Sequence, residues 1–130
     1  MDQSVLLVDD DPEFRRLARR LLAASGLNVV GEAESVRSAV EAADRLRPTA
    51  ILLDVELPDG DGVTLTRELA ALPWRPRIVL TSIDGDITSV EEAVEAGALT
   101  FISKSELPNS PLSELFADEC PDGASRDTVD

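Results

Sequence analysis

The sequence predicts a doubly wound α/β domain, in which a five-stranded parallel sheet carries helices on both faces. Apolar runs and amphipathic segments alternate five times along the 130 residues, and such alternation is typical of parallel sheets with right-handed crossovers. The apolar runs are short and continuous, as expected for strands that are buried on both faces. The length suits one domain with a single core. We assign residues 1–117 to this domain and expect the acidic residues 118–130 to form a disordered tail.

The first strand and the first helix have clear boundaries. Ser4–Val8 is the first apolar run, Asp11 is a suitable N-cap, Pro12 suits the first helical position, and Gly26 suits the end of the helix. Five apolar residues share one helical face: Phe14, Leu17, Ala18, Leu21 and Leu22. The other face carries a basic cluster: Arg15, Arg16, Arg19 and Arg20. A solvated face is the commoner explanation of such a cluster, and a docking surface for an acidic partner is the alternative.

The middle of the chain predicts two further strands and two further helices. The strands are Asn28–Ala33 and Ala50–Asp54. Ser35 is a suitable N-cap for the second helix, which Pro48 ends. Its inward residues are expected to be Val36, Ala39, Val40, Ala43 and Leu46. The third helix is expected over Thr64–Leu72, with its leucines facing the core.

The last part of the chain predicts two strands with a helix between them. The strands are Arg77–Ser82 and Thr100–Ser103. Asp86 is the candidate N-cap of the fourth helix, and Gly97 is its candidate end. The apolar residues that mark this helix are Ile87, Val90, Ala93 and Val94. A weak last helix is expected around Leu112–Phe116.

The composition excludes several classes of function. The formal net charge is −14 at pH 7, which disfavours contact with nucleic acid or with anionic membrane surfaces. The chain contains no histidine, so His-ligated metals and Ser–His or Cys–His catalysis are excluded. The single cysteine, Cys120, cannot form an internal disulfide. Without a signal-peptide pattern or an apolar run of about 18 residues, a cytoplasmic location is the expectation.

Polar side chains collect where the predicted strands end. There are six of them: Asp9, Asp10, Asp54, Thr81, Ser82 and Lys104. Because the carboxyl ends of parallel strands meet at one edge of the sheet, these groups can share one pocket. Three neighbouring carboxylates repel one another unless a cation neutralises them, and a set of oxygen ligands favours a hard divalent ion such as Mg²⁺. Lys104, the only lysine of the chain, adds a compact positive charge.

A divalent metal ion, an ammonium group and a hydroxyl group around one carboxylate suit a phosphoryl group. The chain has neither of the glycine-rich patterns that bind nucleotide phosphates, Gly-x-x-x-x-Gly-Lys-Ser/Thr and Gly-x-Gly-x-x-Gly, so a bound nucleotide is not implied. An aspartate that itself becomes phosphorylated fits better, because carboxylates act as nucleophiles toward phosphoryl groups. Asp54, at the end of a fully apolar run, is the candidate.

Four motifs resemble the receiver domain of bacterial two-component response regulators. The motifs are Val8–Asp10, Leu53–Gly62, Val79–Ser82 and Phe101–Lys104, and together with the intervening elements they cover about residues 4–116. The resemblance implies a flavodoxin-like sheet with strand order 2-1-3-4-5. The segment Lys104–Leu107 is similar to receivers of the LuxR/NarL type, so we expect a receiver of that subtype without the helix-turn-helix domain and without direct contact to nucleic acid.

The resemblance implies a metal site and a phosphoacceptor. Asp54 would accept the phosphoryl group from a sensor histidine kinase or a histidine phosphotransfer protein. Asp10 and Asp54 would ligate Mg²⁺ directly, with Mn²⁺ as a possible substitute. Asp9 would hold the ion through water, and the backbone carbonyl of Glu56 would complete the protein ligands.

The resemblance also implies a switch. Lys104 and Ser82 would bind the phosphoryl oxygens, Thr81 would turn its hydroxyl toward them, and Phe101 would swing inward behind it. The response would reach a downstream protein or a second receiver through the fourth helix, fifth strand and fifth helix. Glu56 and Ile83 flank the pocket at positions that tune hydrolysis of the aspartyl phosphate in this family. The first helix, with Arg16 and Arg19, is where such domains commonly contact their kinases.

Three other functions stay open at this point. The chain could be an interaction scaffold that works without phosphorylation, or the receiver part of a longer DNA-binding regulator. It could also be a magnesium phosphohydrolase with an aspartyl nucleophile, although Glu56 stands where an Asp-x-Asp motif would place its second aspartate. Our expectation is a signalling domain rather than an enzyme, with at most self-catalysed phosphorylation and dephosphorylation.

Overall fold

The fold is a five-stranded parallel sheet between two layers of helices. The computed structural model describes residues 3–83 and 89–116. The strands are β1 (Ser4–Val8), β2 (Asn28–Ala33), β3 (Ala50–Asp54), β4 (Arg77–Ser82) and β5 (Thr100–Ser103). The helices are α1 (Pro12–Ala24), α2 (Val36–Leu46), α3 (Gly62–Ala70), α4 (Val90–Ala96) and the single turn α5 (Leu112–Leu115). A two-residue hairpin pairs Glu56–Leu57 with Gly60–Asp61, and a 3₁₀ turn covers Leu107–Asn109.

The strand order is β2-β1-β3-β4-β5, and all four pairings are parallel. Both the predicted fold class and the order 2-1-3-4-5 are therefore confirmed. Buried residues of α2, α3 and α4 pack on one face of the sheet. Buried residues of α1 and α5 pack on the other face. The strands between them carry apolar side chains on both sides because both faces are covered.

The boundaries of the first half agree with the prediction because local signals set them. Asp11 caps α1 by accepting a hydrogen bond from the backbone N–H of Glu13, and Pro12 is the first helical residue. Ser35 caps α2, and Arg47, which precedes Pro48, ends it in a left-handed conformation. Gly26 lies just beyond α1 with φ +82°. Such caps satisfy the backbone groups that a helix end leaves unpaired.

Two helices begin at other residues than predicted. The third helix begins at Gly62 rather than Thr64 and ends at Ala70, because Asp61 accepts a hydrogen bond from the N–H of Val63 and so caps it. The fourth helix has Ser89 as its N-cap, in a capping box with Glu92. The predicted cap Asp86 and the apolar marker Ile87 lie outside the described residues, as do residues 117–130.

Val40, which was predicted to face inward, is 43% exposed, so this prediction is wrong. Leu17, on the predicted apolar face of α1, is 41% exposed, and Val90 and Val94 of α4 are 48% and 51% exposed. Small side chains explain the difference on α2 and α4, where Ala39, Ala42, Ala43, Ala93 and Ala96 fill the contact with their neighbours. An alanine stripe lets a helix approach the sheet closely, so the apolar residues beside the stripe stay at the rim. Among the described helices, none is both long enough and apolar enough to cross a membrane.

Candidate functional site

Two carboxylates enter the site from adjacent central strands. β1 pairs with β3 in parallel register, with Val8 opposite Leu53, so Asp9 and Asp54 emerge side by side at the carboxyl edge. Both are buried, at 2% and 5% exposure, whereas Asp10 is exposed. One carboxylate oxygen from each of the three residues lies within 4.8 Å of the others. The structure therefore brings the three predicted acids together.

Lys104 faces these acids from the far side of the pocket. Its backbone N–H donates to the carbonyl of Ser82 (2.9 Å), which fixes it at the end of β5. The side-chain Nζ lies 2.7 Å from Oδ2 of Asp9 and 3.5 Å from Oδ2 of Asp54. It also sits 4.3 Å from the centre of the Phe14 ring, within the range of a cation–π contact. The ammonium is thus held between two carboxylates and an aromatic face.

The electrostatics of the pocket favour an additional cation. Burial, together with the neighbouring Asp9 charge, raises the pKa of Asp54 from 3.8 to about 6, against the opposing effects of the Glu56 backbone N–H and of Lys104. Burial acts to lower the pKa of Lys104, but its contacts with Asp9 and Asp54 outweigh burial, and this pKa is raised. One ammonium therefore does not compensate the cluster of acids fully.

Backbone hydrogen bonds hold the acids in place. The guanidinium of Arg15 donates to the carbonyl of Asp9 (2.6 Å), and the N–H of Asp11 donates to Oδ1 of Asp9 (2.8 Å). The N–H of Glu56 donates to Oδ1 of Asp54 (3.1 Å). These bonds occupy one oxygen of each buried carboxylate and leave Oδ2 of each on the Lys104 side.

The loop after Asp54 is fixed at two points. Gly62 donates to the carbonyl of Val55 (2.6 Å), and a Cβ at this position would fall 2.7 Å from Cα of Val55 and collide with the carbonyl oxygen of Asp54. Only glycine permits this close approach. Asp59 reaches across to α2 and accepts the N–H groups of Val36 (2.7 Å) and Arg37 (3.1 Å). Hydrogen bonds from the helix N-terminus, chiefly that of Val36, lower the pKa of Asp59.

The predicted switch residues Thr81, Ser82 and Phe101 lie on β4 and β5, beside this group. Thr81 is buried, and its hydroxyl donates a long hydrogen bond of 3.5 Å to the carbonyl of Leu53. Ser82 is fully buried at the end of β4. Phe101 is half-buried and packs against the core under α2, α3 and α4. The hydroxyl of Thr81 is thus bonded to β3 rather than to a carboxylate of the site.

A small cleft of about 240 Å³ opens from the site to solvent, and its wall includes Asp54, Glu56, Ile83 and Lys104. The side chain of Ile83 is 78% exposed, and Glu56 is exposed as well. Both residues therefore stand at the mouth of the pocket, as the sequence predicted.

The acids fit a hard divalent cation on their own chemistry. All the candidate ligands are carboxylate or carbonyl oxygens, which suit Mg²⁺. The buried Oδ2 of Asp9 has the ammonium of Lys104 as ion-pair partner, but no described residue donates a well-directed hydrogen bond to it. A buried carboxylate oxygen in this state favours a further positive charge or an ordered water beside it.

The basic cluster of α1 divides into two pairs. Arg15 and Arg19 each approach Glu32 of β2 at 2.8 Å. Burial acts to raise the pKa of Glu32, but the contacts with the two guanidinium groups outweigh burial, and this pKa is lowered. Arg16 and Arg20 are exposed and form no ion pair with a described residue. Arg16 and Arg20 are therefore the arginines of α1 without an ion pair to a described residue, whereas Arg19 is 49% exposed but paired with Glu32. The predicted docking pair Arg16 and Arg19 stays a prediction.

Sequence reasoning missed three residues that shape the site. The sequence placed Phe14 on the apolar face of the first helix and Arg15 in its basic cluster, and it indicated no role for Asp59. The contacts of Phe14 and Arg15 depend on how α1 lies over the ends of β1 and β5, and that of Asp59 depends on the position of α2. No local pattern reports such distances. The one available signal was the spacing of Arg15, four residues after the helix cap Asp11, which turns it back toward the strand end.

A doubly wound sheet whose carboxyl edge joins an acidic triad to one lysine is the arrangement of a signalling receiver. The family model of the response regulator receiver domain matches residues 5–114. The chemotaxis protein CheY of Bacillus subtilis is 34% identical over 104 residues, which are 80% of this chain and 87% of CheY. The chain belongs to the response regulator receiver domain family.

Two further relatives show the breadth of the family. The protein-glutamate methylesterase/protein-glutamine glutaminase of Alkalilimnicola ehrlichii is 40% identical over 106 residues, but this chain spans only 27% of its length. The receiver domain of the putative response regulator NarL from Mycobacterium tuberculosis is 29% identical with a TM-score of 0.74, covering 90% of this chain and 98% of that one. The predicted likeness to NarL-type receivers is thus confirmed.

Proposed function

We propose that this receiver takes a phosphoryl group onto Asp54 from the phosphohistidine of a sensor histidine kinase or a histidine phosphotransfer protein. The observation that carries the proposal is the placement of Asp54. Its carboxylate is buried at the end of the central strand, lies 3.5 Å from Lys104, and still lines a cleft that opens to solvent. A phosphodonor can therefore reach a carboxylate whose surroundings are fixed.

In the proposed step, a lone pair of an Asp54 oxygen forms the new P–O bond while the P–N bond to the donor imidazole breaks. The electron pair of the broken bond stays on the imidazole nitrogen. The N–H of Glu56 holds Oδ1 of Asp54 and so orients the carboxylate. The ammonium of Lys104, already 3.5 Å from Oδ2, is placed to pair with the incoming phosphoryl oxygens.

Asp10, Asp54 and the backbone carbonyl of Glu56 would hold Mg²⁺ directly, and Asp9 would hold it through water; Mn²⁺ would substitute. The bound ion would neutralise charge on the transferred group and hold that group in line with the attacking oxygen. The acidic triad supports this part of the proposal. The exposed position of Asp10 leaves one side of the site open for the ion to enter.

Phosphorylation would act through Thr81, Ser82 and Phe101. Thr81 would exchange its long bond to the Leu53 carbonyl for a phosphoryl oxygen, Ser82 and Lys104 would bind the remaining oxygens, and Phe101 would move into the space behind Thr81. The weakness of the present Thr81 bond supports this exchange, because little is lost when it breaks. The change would reach a protein target or a second receiver through α4, β5 and α5.

The contact with the kinase is proposed to lie on α1, where Arg16 and Arg20 are exposed without an ion pair among the described residues. We place the protein in the cytoplasm and give it no activity beyond its own phosphorylation and dephosphorylation. Reversing both charges should slow transfer from the kinase and leave labelling by acetyl phosphate unchanged. Equal slowing with both donors would contradict a docking role.

Labelling with a small phosphodonor tests the central assignment. Wild type should incorporate one acid-stable, hydroxylamine-labile phosphoryl group from acetyl phosphate in a Mg²⁺-dependent manner, and Asp54→Asn should incorporate none. The matched control is Asp44→Asn, which changes an exposed acid on α2. Labelling that survives in Asp54→Asn would move the site, and a wild type that is never labelled would favour a scaffold that works without phosphorylation.

A further inference from the structure

A second cleft lies at the opposite edge of the sheet from Asp54. It has a volume of about 870 Å³, and its lining includes Thr49, Arg77 and Leu99, which stand at or just before the starts of β3, β4 and β5. In a parallel sheet this edge is remote from the carboxyl ends of the strands. A ligand here would not compete with a phosphoryl group on Asp54.

Three arginines line this cleft in a chain whose formal net charge is −14: Arg47, Arg75 and Arg77. The guanidinium of Arg47 stacks 5.2 Å from the centre of the Trp74 ring. The indole N–H of Trp74 donates to the carbonyl of Pro48 (3.1 Å), so the ring is held as a fixed wall. A stacked guanidinium keeps the N–H groups at its edge available for a carboxylate, which it can bind through two hydrogen bonds.

Two of the arginines in this cleft have a left-handed backbone conformation that is unusual for a residue with a side chain. In the described part of the chain, only two residues other than glycine have positive φ, Arg47 (47°) and Arg75 (45°). Both line this cleft, and each precedes a proline. The left-handed region is unfavourable for any residue with a Cβ, and a following proline narrows the choice further. Two arginines at positions that suit glycine indicate that their side chains serve a purpose other than stability.

The apolar part of the cleft narrows the class of ligand. Trp74 and Leu99 contribute apolar surface beside the guanidinium groups, and the Leu99 side chain is 39% exposed. A free inorganic anion would need only the arginines. We propose that this cleft binds an acidic peptide segment of a partner protein, in which carboxylates flank an apolar side chain. The carboxylates pair with Arg47 and Arg75, and the apolar side chain packs on Trp74 and Leu99.

The only tryptophan of the chain is Trp74, so its fluorescence reports on the cleft directly. The probe is a short glutamate-rich peptide with a central leucine and no aromatic residue, titrated into the full chain. We expect a saturable change in emission. A peptide of equal charge with alanine in place of leucine should bind more weakly, and free glutamate should produce no saturable change at the same concentration.

Glycine substitution separates binding from stability. Because Arg75 has positive φ, Arg75→Gly should keep or raise the melting temperature of the protein. The same substitution should lower the affinity for the peptide about tenfold. Arg75→Lys keeps the charge and should retain part of the affinity. Arg37→Ala is the matched control, since it removes an exposed arginine at the far end of α2. Unchanged affinity in Arg75→Gly overturns the proposal.

Other occupants give distinct results, each of which overturns the proposal as stated. Free glutamate that binds as tightly as the peptide points to a small anion. Self-association that Arg75→Gly abolishes points to a second copy of this chain. Peptide binding that appears only after the acids of residues 118–130 are exchanged for their amides points to the chain's own C-terminal segment. The absence of any saturable change with wild type removes the site altogether.

Discussion

The candidate site has a charged half, Asp9, Asp54 and Lys104, and a half that is proposed to respond, Thr81 and Phe101, and the two differ in how firmly they are held. Asp9, Asp54 and Lys104 are joined by ion pairs of 2.7 and 3.5 Å, and backbone donors fix both carboxylates. Thr81 and Phe101 have no comparable support: one makes a 3.5 Å bond to a carbonyl, and the other is half-buried. The charged half is already formed without a phosphoryl group, whereas the half proposed to respond is free to change partners.

Strand position explains the difference between Asp54 and Phe101, whereas Thr81 lies on β4, which is paired on both sides. β1 and β3 are central strands, paired on both sides. β5 is an edge strand, and α4 beside it has only seven residues with Val90 and Val94 half-exposed. Fewer buried contacts make a region easier to rearrange. A rigid charged half beside a loosely held half is a suitable design for a two-state switch.

Removing the ammonium should produce the largest change in stability. Lys104→Met leaves the buried charge of Asp9 without its partner, and we expect the free energy of unfolding in EDTA at pH 8 to fall by about 3 kcal/mol. Denaturant unfolding measures the change. The double variant Asp9→Asn/Lys104→Met should recover much of the loss, because it removes both charges. A loss of equal size in the double variant would show that Lys104 stabilises by packing on Phe14 instead.

Removing the carboxylate of Asp54 should raise the free energy of unfolding, whereas removing the ammonium of Lys104 should lower it. The pKa of Asp54 is about 6 in the folded protein, against 3.8 for an aspartate side chain in water, so ionisation of Asp54 opposes folding. The rise in pKa corresponds to a destabilisation of the folded protein by about 2–3 kcal/mol. This destabilisation is complete above pH 6 and disappears as the pH falls toward 4. Asp54→Asn should therefore be more stable than wild type in EDTA at pH 8, by an amount of this order.

Unfolding curves at several pH values check the prediction for Asp54. The advantage of Asp54→Asn should shrink as the pH is lowered from 7 to 4, and Mg²⁺ should stabilise wild type more than the variant. The exposed change Asp44→Asn is the control for loss of one negative charge. A variant that is less stable than wild type at pH 8 would mean that the ionised carboxylate is already compensated in the folded protein.

Much of the site could be predicted because the ends of buried strands can be recognised in a sequence. An apolar run that stops at an acid locates Asp9 and Asp54, and the parallel sheet brings Lys104 to the same edge. Which side of a helix meets the core was less predictable: Leu17 and Val40 have the right spacing, yet alanines beside them make the close contacts. Phe14 and Asp59 could not be found, because their partners come from elements distant in sequence.

A substitution at Thr81 should alter the response and leave the chemistry intact. Thr81→Val keeps the shape of a buried side chain and removes a bond of 3.5 Å, so the free energy of unfolding should change by less than about 1 kcal/mol. Labelling by acetyl phosphate should stay within a few-fold of wild type. Hydrogen exchange in β4 and β5 should no longer change on phosphorylation. A change in exchange as large as that of wild type would remove Thr81 from the switch.

The smallest effect on stability is expected for substitutions at the mouth of the pocket, which should change only the rate at which the aspartyl phosphate is hydrolysed. Ile83 is 78% exposed and Glu56 is also exposed, so replacing either should leave stability within about 0.5 kcal/mol of wild type. Both side chains line the cleft through which water reaches Asp54. Ile83→Ala and Glu56→Ala should therefore shorten the half-life of the aspartyl phosphate several-fold.

Loss of radiolabel from the purified phosphoprotein measures this half-life in the presence of Mg²⁺. Val94→Ala is the control, because it shortens an aliphatic side chain that is 51% exposed and does not line the cleft. If neither Ile83→Ala nor Glu56→Ala alters the half-life, the mouth does not govern access of water. The lifetime would then depend on the firmly held half of the site alone, and the contrast between the two halves would extend to dephosphorylation.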